Sequence, residues 1–403
     1  MIRRILMAVL AVLLLTACTG NSLPESTATE MPTPQPSDTP TNTPEPPTST
    51  PLPTLTPTTA ATVTSTPVAY GPGNYPANVD PLTGMSAADS KLLARRPVSV
   101  KIQIFPRGQR PPWGASLADI VYDYYQNSGM TRFHAIFLGT NAEQVGPIRS
   151  GRLFDKQLVS MYKSILAFGG ADRRILSTFL NSDFANRLVL EGYNNCPPMC
   201  RIEPNGSNFL VANTEEITKY AEKKKISNEP QDMGGMTFHS IAPAGSRSGV
   251  QLSVRWSISA YARWDYDAAS GRYLRFQDTQ EDQQGTNEAY APLIDRLTGK
   301  QIAADNVVVL LIPHQYAFST KPGNGEIIDI VMGTTGYAFA FRDGQFYEVR
   351  WNRSTKDSVL ALTFPDGKPY PFKPGNTWFE VVGQSSQVLD KGNGVWRFVF
   401  KIP

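Results

Sequence analysis

The chain has 403 residues, 41% of them hydrophobic and 18% charged, and 38 Lys and Arg stand against 35 Asp and Glu for a net charge of +3. So even and scattered a balance excludes nucleic acid as a partner, while a mild basic excess in the folded part stays compatible with anionic cell-wall polymers or phosphates. His134, His239 and His314 lie far apart and none is at ligand spacing from a cysteine, which excludes a zinc site.

Residues 1–17 read as a lipoprotein signal peptide. Arg3 and Arg4 precede the apolar run Ile5 to Leu15, too short to span a bilayer, and small residues follow before Cys18. The tetrapeptide Leu15, Thr16, Ala17, Cys18 resembles the lipobox of bacterial lipoproteins. That resemblance implies cleavage before Cys18, a lipid thioether on its sulfur, and an extracytoplasmic protein anchored through it to the bacterial cell membrane; an uncleaved anchor or plain secretion is the alternative. Residues 18–76 form a Thr/Pro-rich tether whose only charges are Glu25, Glu30, Asp38 and Glu45. Having almost no apolar side chains to offset ordering, this segment is expected to be disordered, and its Thr-Pro pairs favour polyproline II. At about 3.1 Å per residue it reaches on the order of 150 Å if stiff.

The rest is long enough for two cores. From 77 to 235 the signals alternate: strands at Val98 to Phe105, Ile120 to Tyr125 and Arg132 to Leu138, a helix over 153–162, a strand at Ser164 to Phe168, then helices from Arg173 to Leu180 and from Thr214, whose hydroxyl can cap it, to Lys225. Alternation predicts an α/β domain. From 236 to 403 the pattern turns to strands with hairpin signals at Ser270-Gly271, Asp343-Gly344 and Asp366-Gly367, predicting a mostly antiparallel β domain. The polar stretch Gln277 to Lys300 is expected to lie across its surface.

Candidate site residues gather around Glu143 to Arg152, EQVGPIRSGR. Arg149, Ser150 and Arg152 fall at the start of the 153–162 helix, where unpaired backbone N–H groups favour anions, so two arginines there call for a negatively charged partner or an internal carboxylate. Arg132 sits in an apolar strand and must be paired, either within the same cluster or in a structural salt bridge. Asp119, at a strand end, suits a metal or base, although turn capping is the commoner use. Gly169 and Gly170 resemble a phosphate-cradling turn without the spacing of a nucleotide fingerprint. Ser150 lacks a GxSxG elbow and a recognisable base, so it reads as a helix cap and the chain as a binding module rather than an enzyme. His314 reads as a hydrogen-bonded strand-end residue, and Trp256, Trp264, Trp351 and Trp378 as sheet core or a sugar platform. Cys196 and Cys200 are spaced for a local disulfide, with two free thiols as the alternative.

Several segments carry a resemblance: NVDPLTG (78–84), RRPVSVKI (95–102), SLADIVYD (116–123), GMTRFHAIF (129–137) and VGPIRSGR (145–152), followed by NVVVLLI (306–312) and PGNTWFEVV (374–382). Together they resemble the YerB-like family of bacterial lipoproteins, which implies a two-domain extracytoplasmic lipoprotein and leaves the activity open. The family pattern places a histidine ahead of the Asp in the segment matching Asp295, and APLIDRLTGK here has none. A shorter similarity, carried by ADIVY (118–122), PIRSGR (147–152) and AFGGADRRI (167–175), is to LytR-CpsA-Psr phosphotransferases. It implies that Asp119 helps hold a metal and that Arg149, Arg152, Arg173 and Arg174 hold a polyprenyl pyrophosphate. Two functions follow: an envelope protein binding an anionic ligand or cell-wall component through its arginines, with no cofactor, or a phosphotransferase or phosphohydrolase acting on lipid-linked pyrophosphate glycans with magnesium.

Overall fold

Ile120–Asn127 (β2) and Thr377–Gly383 are buried along nearly their whole lengths, the mark of strands covered on both faces. They pair in parallel, Ile120 opposite Thr377 through Tyr124 opposite Val381, although some 250 residues separate them along the chain. The computed structural model that shows this describes residues 69–192, 195–202, 209–323 and 325–402. The signal peptide, Cys18 and nearly all of the tether lie outside the described residues.

In the N-terminal half, Val98–Gln103 (β1), β2 and Met130–Phe137 (β3) form antiparallel ladders, and Ile165–Phe168 (β4) and Leu188–Leu190 (β5) extend them in parallel. Leu153–Tyr162 (α1), Arg173–Leu180 (α2) and Thr214–Lys223 (α3) are the helices. β1 to β4 and the three helices match the alternation read from sequence to within a few residues, whereas β5 was not foreseen. Two caps are corrected. The α3 cap is Asn213, whose side chain accepts the Glu215 and Glu216 amides, while the Thr214 hydroxyl is committed to the Ala142 amide at 2.9 Å. Nor does Ser150 cap α1: the helix opens after Arg152, and Asp155 reaches back to accept the Arg152 amide at 2.6 Å.

The C-terminal half is strand-rich. Gln251–Arg255 (β6), Tyr261–Asp267 (β7), Arg272–Asp278 (β8), Asn306–Ile312 (β9), Thr335–Arg342 (β10), Gln345–Asn352 (β11), Ala361–Thr363 (β12), Thr377–Gly383 (β13), Gln387–Asp390 (β14) and Val395–Val399 (β15) carry it. Asp343 and Gly344, both at positive φ, close the β10–β11 hairpin as the Asp-Gly signal predicts. Most ladders are antiparallel, but β6–β15 and β9–β13 are parallel. The stretch expected on the surface, 277–300, is partly internal: it contributes the strand Tyr290–Pro292 and buries Asp282 and Asp295. Asp295 is drawn in because it accepts the Gly114 and Ser116 amides at 2.8 Å each, tying the two halves together.

The two halves share one sheet. Among the described residues eleven strands form a mixed sheet in the order β12-β11-β10-β9-β13-β2-β3-β1-β4-β5, with the short strand Arg247–Ser248 on β11. A second sheet of seven strands, built around β8-β7-β6-β15-β14, packs on one face, where the rings of Trp264 and Trp378 meet at 5.2 Å. On the opposite face α1 sets Phe154 edge-on to Tyr122 and Tyr124, which alternate along β2 with the Val121 and Asp123 that face the second sheet. Trp256, Trp264, Trp351 and Trp378 are all buried, so they serve as core.

Candidate functional site

Gly146, cis before Pro147, leads into Ile148 and Arg149, which run beside the end of β1: the Arg149 amide donates to Lys101 at 3.1 Å and the Gln103 amide to Pro147 at 2.8 Å. The same segment bonds to the glycine turn after β4, with Gly169 N–H donating to the Arg149 carbonyl at 3.1 Å and Gly151 N–H to the Gly170 carbonyl at 2.8 Å. Gly170, at φ 103°, allows the sharp exit from β4 toward α2. Arg149, Ser150, Arg152, Gly169 and Gly170 therefore meet beyond the carboxyl ends of β1 and β4, where α1 and α2 both begin. Open α/β sheets commonly place ligands beyond the carboxyl ends of their strands.

Arg132 enters from β3. It is 9% exposed, its guanidinium donates to the Ser150 carbonyl at 2.6 Å, and its Nε has no hydrogen-bond partner. Arg152 donates to the carbonyls of Gly151 at 2.9 Å and Ser150 at 3.3 Å. Among the described residues neither Arg132 nor Arg152 forms an ion pair with a carboxylate. Arg149 donates through Nε to Gln103 and is otherwise engaged as well. Burial and the neighbouring Arg152 push the Arg132 guanidinium well below its ordinary range, and burial lowers Arg149 and Arg152 too.

Beneath them lies a buried network that sequence reasoning missed. Lys101 Nζ donates to Tyr124 at 2.5 Å and stands 3.4 Å from Asp155; Tyr124 donates to the same carboxylate, and His134 Nδ1 is 2.8 Å from it. All four side chains are sealed from solvent. Burial pushes Lys101 down to about 7 against the pull of Asp155, and lowers His134 as well. Burial alone would raise Asp155, but Lys101 and the hydrogen bonds from His134 and Tyr124 hold it well below the usual carboxylate range. The region thus gathers Lys101, Arg132 and Arg152 around one internal carboxylate, with Arg149 beside them nearer Glu191. At its margins Asp172 is already held by Arg174 at 3.0 Å, and Glu191 is held by Arg201. The sequence signal for the network was Lys101 within the apolar run VSVKI, a charge that had to find a partner.

Asp119 does not join the arginines. Ile120 lies opposite Ile136 and Tyr124 opposite Arg132, so Asp119 sits at the other end of β2, about 16 Å along the strand from Tyr124. Its Oδ2 accepts the amides of Leu138 and Gly139. Arg174 faces solvent in its pair with Asp172. Cys196 and Cys200 are joined by a disulfide with a Cα separation of 4.7 Å. His314 is buried, with its Nδ1 2.8 Å from the Ile312 carbonyl, and burial pushes it down to about 4. Among the described residues no group of three His, Cys, Asp or Glu side chains could hold a metal, and no helix is long and apolar enough to cross a membrane.

Comparison with known proteins fits this architecture. Residues 82–227 match the N-terminal domain of the family described as "Protein of unknown function (DUF3048)", and residues 252–379 match its C-terminal domain. The chain is 28% identical over 323 residues to "Putative lipoprotein YerB" of Bacillus subtilis (strain 168), an alignment covering 78% of this chain and 89% of that protein. The crystal structure of YerB protein from Bacillus subtilis superposes with a TM-score of 0.60 at 25% identity, covering 75% of this chain and 96% of that one. With both domains matched in order and most of the relative spanned in sequence and in structure, the chain belongs to the YerB-like two-domain family.

Proposed function

We propose that this protein is anchored through lipidated Cys18 to the outer side of the bacterial cell membrane and that it holds an anionic ligand, a phosphate- or carboxylate-bearing component of the cell wall, at Arg132, Arg149 and Arg152. One observation carries the reading: Arg132 is almost fully buried, has an unpartnered Nε, and shares with Arg152 only backbone carbonyls as acceptors. Guanidinium groups withdrawn from water without a carboxylate are stabilised by a bound anion, and planar forks suit phosphate and carboxylate alike. The starts of α1 and α2 add partial positive charge at the same place. The phosphotransferase alternative gives the metal to Asp119, which is remote from the arginines, and Asp155 beneath them is sealed and committed to Lys101, Tyr124 and His134, so the geometry supports binding better than catalysis.

The full chain, mixed with isolated cell walls and centrifuged, is expected to pellet with them, less so as salt rises. An Arg132→Ala, Arg152→Ala double variant should weaken binding by at least about tenfold, the scale of 1.4 kcal/mol, and walls stripped of anionic polymer should not retain the protein. No binding, or binding unchanged in the double variant, overturns the reading. Cys18→Ser should release the protein from the membrane fraction.

A further inference from the structure

A cleft of about 280 Å³ opens at the other end of β2, between residues 80–88, the turn before β2 and the loop at Gly375 and Asn376. Asp80 and Asp119 line it, each 2% exposed. Asp80 Oδ1 accepts the Leu82 amide at 2.8 Å, but its Oδ2 has no hydrogen-bond partner. Asp119 commits Oδ2 to two amides, and among the described residues its Oδ1 accepts no hydrogen bond. Gly139 lets Asp80 pack against the backbone that Asp119 bonds, since a Cβ there would lie 2.5 Å from Asp80 Oδ2. Two neighbouring carboxylates, one with a buried oxygen that no hydrogen bond satisfies and the other with an oxygen left to the cleft, call for a donor between them.

The surrounding charges fix how many. Arg95, behind the pair, donates to Asn141 at 2.8 Å, Thr218 at 3.0 Å and the carbonyls of Thr140 and Leu138, and forms no ion pair with either aspartate. Glu215, which also faces Arg95, is held by Lys219 at 2.8 Å. At the rim Arg272 pairs with Asp305 at 3.3 Å, with Lys373 3.8 Å from the same carboxylate and 3.1 Å from Asp343. Two carboxylates against one guanidinium leave room for one positive charge. With no third acidic or histidine ligand in reach, a divalent metal is poorly served. The walls are largely apolar, through Met85, Ala87, Leu117 and Ala118.

We infer that this cleft takes a small ligand carrying a primary ammonium group, whose N–H donors meet the idle oxygens of Asp80 and Asp119 while its carbon body lies along the apolar wall. Three N–H donors on one cation match two acceptor oxygens in a charge-assisted arrangement that a neutral hydroxyl cannot equal. Burial pushes Asp80 up to about 6, and burial and Asp80 raise Asp119 well above the usual carboxylate range, so without a ligand the pair favours a shared proton. The entering ammonium replaces that proton, which is released to solvent. This site is independent of the arginine cluster, and neither reading depends on the other.

The test titrates the full chain with n-butylamine and glucosamine, using n-butanol and N-acetylglucosamine as uncharged counterparts, and magnesium chloride alone. Calorimetry in buffers of different ionisation heat reads proton release. The amines are expected to bind at least about tenfold more tightly than their counterparts, with proton release near pH 7, and Asp80→Asn should abolish the preference. Ala88→Trp, at the exposed mouth of the cleft, blocks entry without touching the acids and covers the case in which Asp80→Asn fails to fold. Equal binding of amine and neutral counterpart, no amine binding, a preference that survives both substitutions, or binding of magnesium but not amine each overturns the inference.

Discussion

Asp123 and Glu380 lie opposite each other on adjacent parallel strands drawn from the two halves of the chain, and Arg275 of the second sheet bonds both at 2.6 Å. All three are sealed from water, and the guanidinium is 5.1 Å from the ring centres of Phe133, Trp264 and Trp378. One cation therefore holds two acids, two strands and two sheets together.

Replacing that cation by a hydrocarbon leaves both acids buried without a cation, Glu380 keeping only the Trp264 indole N–H at 2.7 Å. Arg275→Leu should cost roughly 3–5 kcal/mol, the usual penalty for removing one member of a buried ionic group. Denaturant unfolding at neutral pH checks this. A smaller loss at acidic pH, where the acids are neutral, is also expected.

Glu380 should make stability depend on pH. Burial, aided by Asp123 and opposed by Arg275, pushes it up from 4.5 to about 7. An acid raised on folding binds a proton more tightly in the folded chain, so its contribution is complete below about pH 4.5 and is lost as pH rises through 7. Glu380→Gln should flatten the stability profile between those limits. Thermal unfolding from pH 4.5 to 8 measures it.

Asp155 bonds Tyr124, His134 and the Arg152 amide and pairs with Lys101 at 3.4 Å, so Asp155→Asn should destabilise by about 3–5 kcal/mol and loosen the first turn of α1. The two ionisable partners act in opposite windows. Asp155, held low by its neighbours, contributes stability above the ordinary carboxylate range and loses it as pH falls. Lys101 is a base lowered to about 7 from 10.5, so between those values the unfolded chain binds the extra proton and stability rises with pH. Lys101→Met should remove that alkaline rise and also shrink the acid limb, since Asp155 loses the charge that most lowers it, as unfolding midpoints across pH 3 to 10 would show.

Much of the fold was legible because each element announces itself locally. The β2 and β3 runs, the α1 and α2 periodicities and the Asp343-Gly344 hairpin depend on neighbours in sequence, and each falls where expected. What was not legible is long-range. Nothing in Ile120–Asn127 says that its second neighbour is Thr377–Gly383, because a uniformly buried strand carries no record of which strand covers its edge. The same holds for the site. Arg149, Ser150 and Arg152 were found because they share one turn, whereas Arg132 joined them only through the β1–β3 register that sets it opposite Gln103. Asp119 was read toward the arginines for its chemistry and belongs at the far end of its strand with Asp80, a partner some forty residues earlier in the chain.

The β2–β13 ladder also orders events in time. An N-terminal half made first has β1, β3, β4 and β5 to build with, but the outer edge of β2 keeps its backbone donors and acceptors open until residues 377–381 have been synthesised. An open edge of buried character invites pairing with another chain. A chain cut short before β13 is thus left with an adhesive strand at the middle of what should have been its central sheet.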